Sequence, residues 1–129
     1  MAGTFVSDTI QDGAGATVPT TTVINGSAKA WVNFNGVTAI IRASYNVSSI
    51  TRNSTGSYTV NFTNAMPDVN YAVAGSAGTS TGGNGYRWLA VGSAAASDFS
   101  MTTTSVRVQT TYDGTNKTDA EFVGVVINR

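Results

Sequence analysis

Cysteine and histidine are both missing from this chain of 129 residues. Without Cys there is no disulfide and no thiolate metal site. Without His as well, a Ser-His-Asp triad, a Cys-His dyad and the usual zinc sites are excluded. Charge is also scarce: charged residues make up 11% of the chain, against about 25% in an ordinary globular domain. Seven basic side chains balance seven acidic ones. Arg42, Arg52, Arg87 and Arg107 are scattered singly, whereas phosphate backbones are held by clustered cations, so nucleic acid is not an expected partner. No apolar run approaches the roughly 20 residues of a membrane helix, and membrane insertion is not expected. The N-terminal MAGTFVSDTIQDG has neither a basic n-region nor an apolar h-region. A signal peptide is therefore not expected, and synthesis in the cytoplasm is.

Small uncharged residues supply the polarity instead. Gly, Thr, Ser and Asn number 14, 20, 13 and 11, nearly half of the chain. Ser, Thr and Asn compete for the backbone hydrogen bonds of a helix, and Gly costs about 1 kcal/mol there relative to Ala. Thr suits a pleated strand, and Gly and Asn suit the turns between strands. The composition therefore predicts an all-β fold. A chain with no net charge also lacks electrostatic protection against association, which suits a protein whose working state is an assembly.

The length fits a single domain. Residues 1–27 read as an N-terminal arm or linker that packs onto a neighbour, or equally as an edge strand of the same domain: a short strand over Thr4 to Ile10, a flexible QDGAGATVP, and an extended run from Thr20 to Ile24. Residues 28–129 read as one β domain. From Ala28 the alternation is clean, with Ala28, Ala30, Val32 and Phe34 on one face and Lys29, Trp31, Asn33 and Asn35 on the other. Asn35-Gly36 signals a hairpin. The next strand spans Ala39 to Ile50, with Ile41, Ala43, Tyr45 and Val47 sharing a face, and NSTG at Asn53 to Gly56 makes a second hairpin turn.

Tyr58, Val60 and Phe62 follow at period two, and Met66-Pro67-Asp68 breaks the ladder. Further strands are expected at Tyr71 to Gly75, Tyr86 to Val91, Met101 to Tyr112 and Phe122 to Asn128, with a turn at Asp113-Gly114. The best helix candidate, Gly92 to Phe99, is too short to be stable alone. About seven or eight short strands predict an antiparallel β-sandwich or jelly-roll-like domain.

Four segments go further: Lys29 to Gly36 (KAWVNFNG), Ile41 to Ile50 (IRASYNVSSI), Ser57 to Phe62 (SYTVNF) and Ala65 to Tyr71 (AMPDVNY). In this order and spacing they resemble a module of tail-fibre and related virion proteins of tailed phages. The resemblance implies a β-rich homotrimer in the virion, with other virion proteins and a host-surface glycan as partners. It implies either a fibre tip that adheres to the host or a capsid decoration (cement) protein; a stand-alone carbohydrate-binding module is the third possibility.

The matched residues carry no chemistry. Asp119 and Glu121 would share one face of a strand, and glycosidases use two carboxyls flanking a bond, but beside Lys117 they suit a solvated strand start and no catalytic residue is expected. Asp12, Asp68, Asp98, Asp113 and Asp119 lack a calcium-loop spacing, so neither metal nor cofactor is expected. Trp31, Tyr86 and Trp88 suit either core packing or recognition, in which their rings stack on sugars or anchor interfaces. Arg87 and the Gly-rich Gly82, Gly83 and Asn84 of the Gly78–Gly85 loop join them, since loops on rigid β scaffolds often carry binding. Trp31, opposite the Val32/Phe34 face, would be partly exposed in a lone domain and buried in a trimer.

Overall fold

A computed structural model describes residues 3–80, 86–92 and 99–129, the side chain of Tyr86 excepted. The all-β expectation holds. Eight antiparallel strands form one sheet in the order β4-β3-β10-β7-β8-β9-β6-β5, which curls until it is nearly closed into a barrel. They are β3 (Ala28–Asn35), β4 (Ile40–Tyr45), β5 (Val47–Ser54), β6 (Ser57–Phe62), β7 (Ala72–Gly78), β8 (Tyr86–Val91), β9 (Ser105–Thr111) and β10 (Phe122–Asn128).

The alternation read from the sequence sets which side of each strand faces inward. Ala30, Val32 and Phe34 of β3, Tyr58, Val60 and Phe62 of β6, Val106 and Val108 of β9, and Val123, Val125 and Ile127 of β10 are all buried. Each large side chain of this kind contributes about 1.5–3 kcal/mol through removal from water. Phe34 meets Tyr58 edge-on with ring centroids 5.2 Å apart, an arrangement that the ring quadrupoles favour. The turns behave as their residues require. Gly56, at φ 64 between β5 and β6, occupies the left-handed region that a Cβ disfavours. After Asn35 the turn is closed by its own side chain, whose Oδ1 accepts from the Val37 and Thr38 amides.

The strand expected from Ala39 to Ile50 is in fact two. Asn46 takes φ 54, a conformation Asn tolerates better than most residues, and the chain turns there from β4 into β5. These two strands are the edges of the sheet, so Asn46 sits on the barrel seam. Its side chain ties the seam, donating to the carbonyls of Lys29 and Asn64 and accepting from the Asn64 amide at 2.7 Å.

The expected common face for Ile41, Ala43, Tyr45 and Val47 is also corrected. Between β3 and β4 the register shifts, Phe34 pairing with Ile41 but Asn33 with Ala43. The extra residue, Arg42, forms a bulge, and a bulge reverses which side the following residues face. Ile41 packs against the core, whereas Tyr45 is 59% exposed.

The arm forms a separate two-stranded hairpin, β1 (Thr9–Gln11) with β2 (Thr17–Pro19), followed by helix α1 (Thr20–Gly26). Asp12 shapes the hairpin turn by accepting from the Ala14 and Ala16 amides. The extended structure expected from Thr20 to Ile24 is therefore helical. Pro19 supplies φ −57 at the helix entry, already the value a helix needs, and no residue of α1 is buried. With no side chain buried, the segment follows this local geometry and not the β preference of its Thr run. The strand expected over Thr4 to Ile10 is reduced to β1. Most of the short helix considered at Gly92 to Phe99 lies outside the described residues.

Candidate recognition surface

Three side chains on neighbouring strands meet on the outer wall. Trp31 on β3 stands opposite Tyr45 of β4 on one side and Val126 of β10 on the other, and Ala74 of β7 continues the row. Directly paired side chains lie about 5 Å apart at Cβ, so the row is a continuous apolar strip. Trp31 is 39% exposed, and Val126 is open to a similar extent. The adjacent row, Ala43, Asn33, Gly124 and Ser76, is small and uncharged. Phe122 lies on the same side of β10. The Arg42 guanidinium rests over its ring, 4.9 Å from the centroid, and bonds to Asn33 Oδ1 at 3.2 Å and the Glu121 carbonyl at 2.7 Å.

Trp88 is placed elsewhere. It belongs to β8, three strands from β3 in the sheet, or about 14 Å around the wall. Trp88 is 60% exposed, and Gly114 lies beside one edge of its ring. That edge is supported because the Asp113–Gly114 turn is itself fixed: Asp113 accepts from the Thr115 and Asn116 amides, and Gly114 takes φ 83. Arg87 alternates to the inner side, opposite Ala77, which packs on the core; it is half-buried and engaged within the molecule. Tyr86 pairs with Gly78 through the backbone. Gly82, Gly83 and Asn84 lie outside the described residues. Trp31 and Trp88 thus occupy two separate patches.

Tyr45, Val126 and Phe122 join the surface without having been anticipated. The bulge hid Tyr45. For β10 a signal existed: FVGVVIN is apolar at nearly every position, a pattern of strands covered on both faces.

Asp119, Glu121 and Asp68 are engaged in structure. Asp119 and Glu121 lie before β10, outside any strand, and are not a matched pair. Asp119 Oδ1 accepts from Tyr58 Oη (2.7 Å), the Gly56 amide (2.8 Å) and Arg52 Nε (3.2 Å), while Oδ2 pairs with the second Arg52 nitrogen at 2.5 Å. Burial alone would raise this carboxyl. The bonds from Arg52, Gly56 and Tyr58 outweigh it and hold Asp119 below its ordinary value. Tyr58 is pushed upward, first by burial and then by its bond to Asp119. Glu121 accepts from the amide and hydroxyl of Ser80, anchoring the chain just beyond β7. Asp68 pairs with Arg129, which lowers its carboxyl. These groups fasten loops to the barrel.

No protein-family model matches the chain, and no curated protein or solved structure does either.

Proposed function

We propose that this chain is a non-enzymatic structural subunit of a tailed-phage virion, a tail-fibre tip or adhesion module that acts as a homotrimer. The observation that carries the reading is the uncharged strip of Tyr45, Trp31 and Val126 on the barrel's outer wall. Indole and phenol rings left open to water favour an interface, where aromatic side chains supply much of the binding energy. Low charge supports the same reading, because charged groups are costly to desolvate between subunits. The phage setting rests on the resemblance of the KAWVNFNG, IRASYNVSSI, SYTVNF and AMPDVNY segments. Trp88, open on the wall and close in sequence to the Gly78–Gly85 tract, suits a host-surface glycan.

Purified particles test the setting. An antibody against this chain should label the tail tip, and particles lacking the chain altogether would contradict the proposal. Capsid decoration is the second reading, favoured by the arm, where Phe5 and Val6 are almost fully exposed. It expects head labelling, and loss of capsid binding when residues 1–27 are deleted.

A further inference from the structure

Two apolar surfaces of this chain are left open by the chain itself. One is the strip on β4, β3 and β10. The other is the arm: Phe5 is 89% and Val6 86% exposed, and Ile10, Val23 and Ile24 are also exposed. Isolated exposed hydrophobics are ordinary, but a contiguous group marks an interaction site. Here the strip is contiguous by strand pairing, and the arm adds five exposed apolar side chains between Phe5 and Ile24.

Their charges are complementary. The only charged side chains of residues 3–27 are Asp8 and Asp12, and neither has a cationic partner among the described residues. The only charged residues of β3, β4 and β10 are Lys29 and Arg42. Lys29 donates to the Ile24 carbonyl and Ser27 Oγ. Arg42 donates to Asn33 Oδ1 and the Glu121 carbonyl. Both cations thus bond neutral acceptors. An acidic, apolar arm and an apolar strip with basic residues beside it are matched surfaces, and among the described residues no ion pair joins them within one chain.

We propose that the arm of one copy lies across the outer face of β4, β3 and β10 of a second copy, with Phe5 and Val6 on the Tyr45–Trp31–Val126 strip and Asp8 and Asp12 towards Lys29 and Arg42. Residues 3–27 supply about as many residues as one side of a standard interface, roughly 20–30. The open hairpin and the uncovered helix α1 are then two parts of one contact. The arm joins the barrel directly at Ala28, so each copy both offers an arm and receives one. Such a head-to-tail contact closes into a ring when the rotation between copies permits. This inference rests on the self-assembly proposed above and specifies how it is achieved.

The absence of cysteine provides a direct test with the full chain. A Phe5→Cys chain and a Tyr45→Cys chain of different tagged mass are mixed under mild oxidation, with Thr51→Cys on β5 replacing Tyr45→Cys as the control. The proposal expects a mixed disulfide between Phe5→Cys and Tyr45→Cys well above the control. In sedimentation, Phe5→Asp/Val6→Asp should weaken self-association at least about tenfold, the effect of losing two interface anchors. Both positions are exposed, so folding is preserved and is checked by circular dichroism.

If the full chain associates but the mixed disulfide stays at control level and the Asp variant associates equally well, the arm contact is wrong while self-assembly stands. If a chain carrying both cysteines closes only on itself at every concentration, the arm folds onto its own barrel and the inference is overturned. A full chain that remains monomeric at all micromolar concentrations overturns this inference and the assembly reading together.

Discussion

Replacing Asp119 with Ala should remove the principal polar fastening of the barrel. The carboxylate serves two partly buried donors, Tyr58 Oη–H and Gly56 N–H, and one more exposed cation, Arg52. A buried donor left without its acceptor costs about 1–3 kcal/mol. The ion pair with Arg52, which lies at the surface, is screened by water and adds little. Because the bonds share one acceptor they do not add fully, and we expect a loss of about 3 kcal/mol.

Against a total stability of about 5–15 kcal/mol this is a large fraction, equivalent to a fall in Tm of about 10 °C for a domain of this size. Urea unfolding followed by tryptophan fluorescence measures it, with Arg52→Ala as the companion variant and a clearly smaller loss expected there. A loss below about 1 kcal/mol for Asp119→Ala would refute the assignment of Asp119 as the fastening group. Equal losses for the two variants would show that the ion pair, and not the buried donors, does the holding.

Three further outcomes follow from the same geometry. Gly56→Ala should cost at least about 2 kcal/mol. It combines φ 64 with a Cβ 2.5 Å from the Thr118 amide and 2.6 Å from the Thr110 carbonyl, and an effect within about 0.5 kcal/mol would contradict that close approach. The carboxyls of Asp68, Asp113 and Asp119 are held below their ordinary values. Their contribution to stability is therefore present above the unfolded Asp value of about 3.9 and is lost as pH falls through the lower folded values. Acid titration of the unfolding midpoint should show this loss at and below about pH 4, with a shallower dependence in Asp119→Ala. Trp88→Ala, at an exposed ring, should leave the Tm within about 2 °C while reducing adsorption of particles to host cells; unchanged adsorption would remove Trp88 from the recognition surface.

Much of the barrel was legible because its strands alternate. Val32 and Phe34, Tyr58 and Val60, Val106 and Val108, and Val123 and Val125 each fall on the buried side that period two assigns them. Events that occupy a single residue were not legible. The bulge at Arg42 and the left-handed Asn46 leave no mark on composition, yet together they reverse Tyr45 and divide one expected strand into two edges. Helix α1 was misread because its Thr residues favour strands, and with no buried side chain there is no apolar periodicity to reveal a helix. The role of Asp119 depends on its closeness to Arg52, Gly56 and Tyr58, more than 60 residues earlier in the chain, which local pattern cannot show. The outward placement of Trp31 and Trp88 was legible because each ring alternates with core positions on its strand. That they form two patches, and that Tyr45 and Val126 complete one of them, required the register of β3, β4 and β10.

The claim that the open strip is an assembly surface is tested most directly by the mass of the native protein in solution. Each chain weighs 13.3 kDa, and sedimentation equilibrium at micromolar concentration should give a trimer of about 40 kDa, three chains in a closed ring. A single species at the mass of one chain across that range would contradict the account.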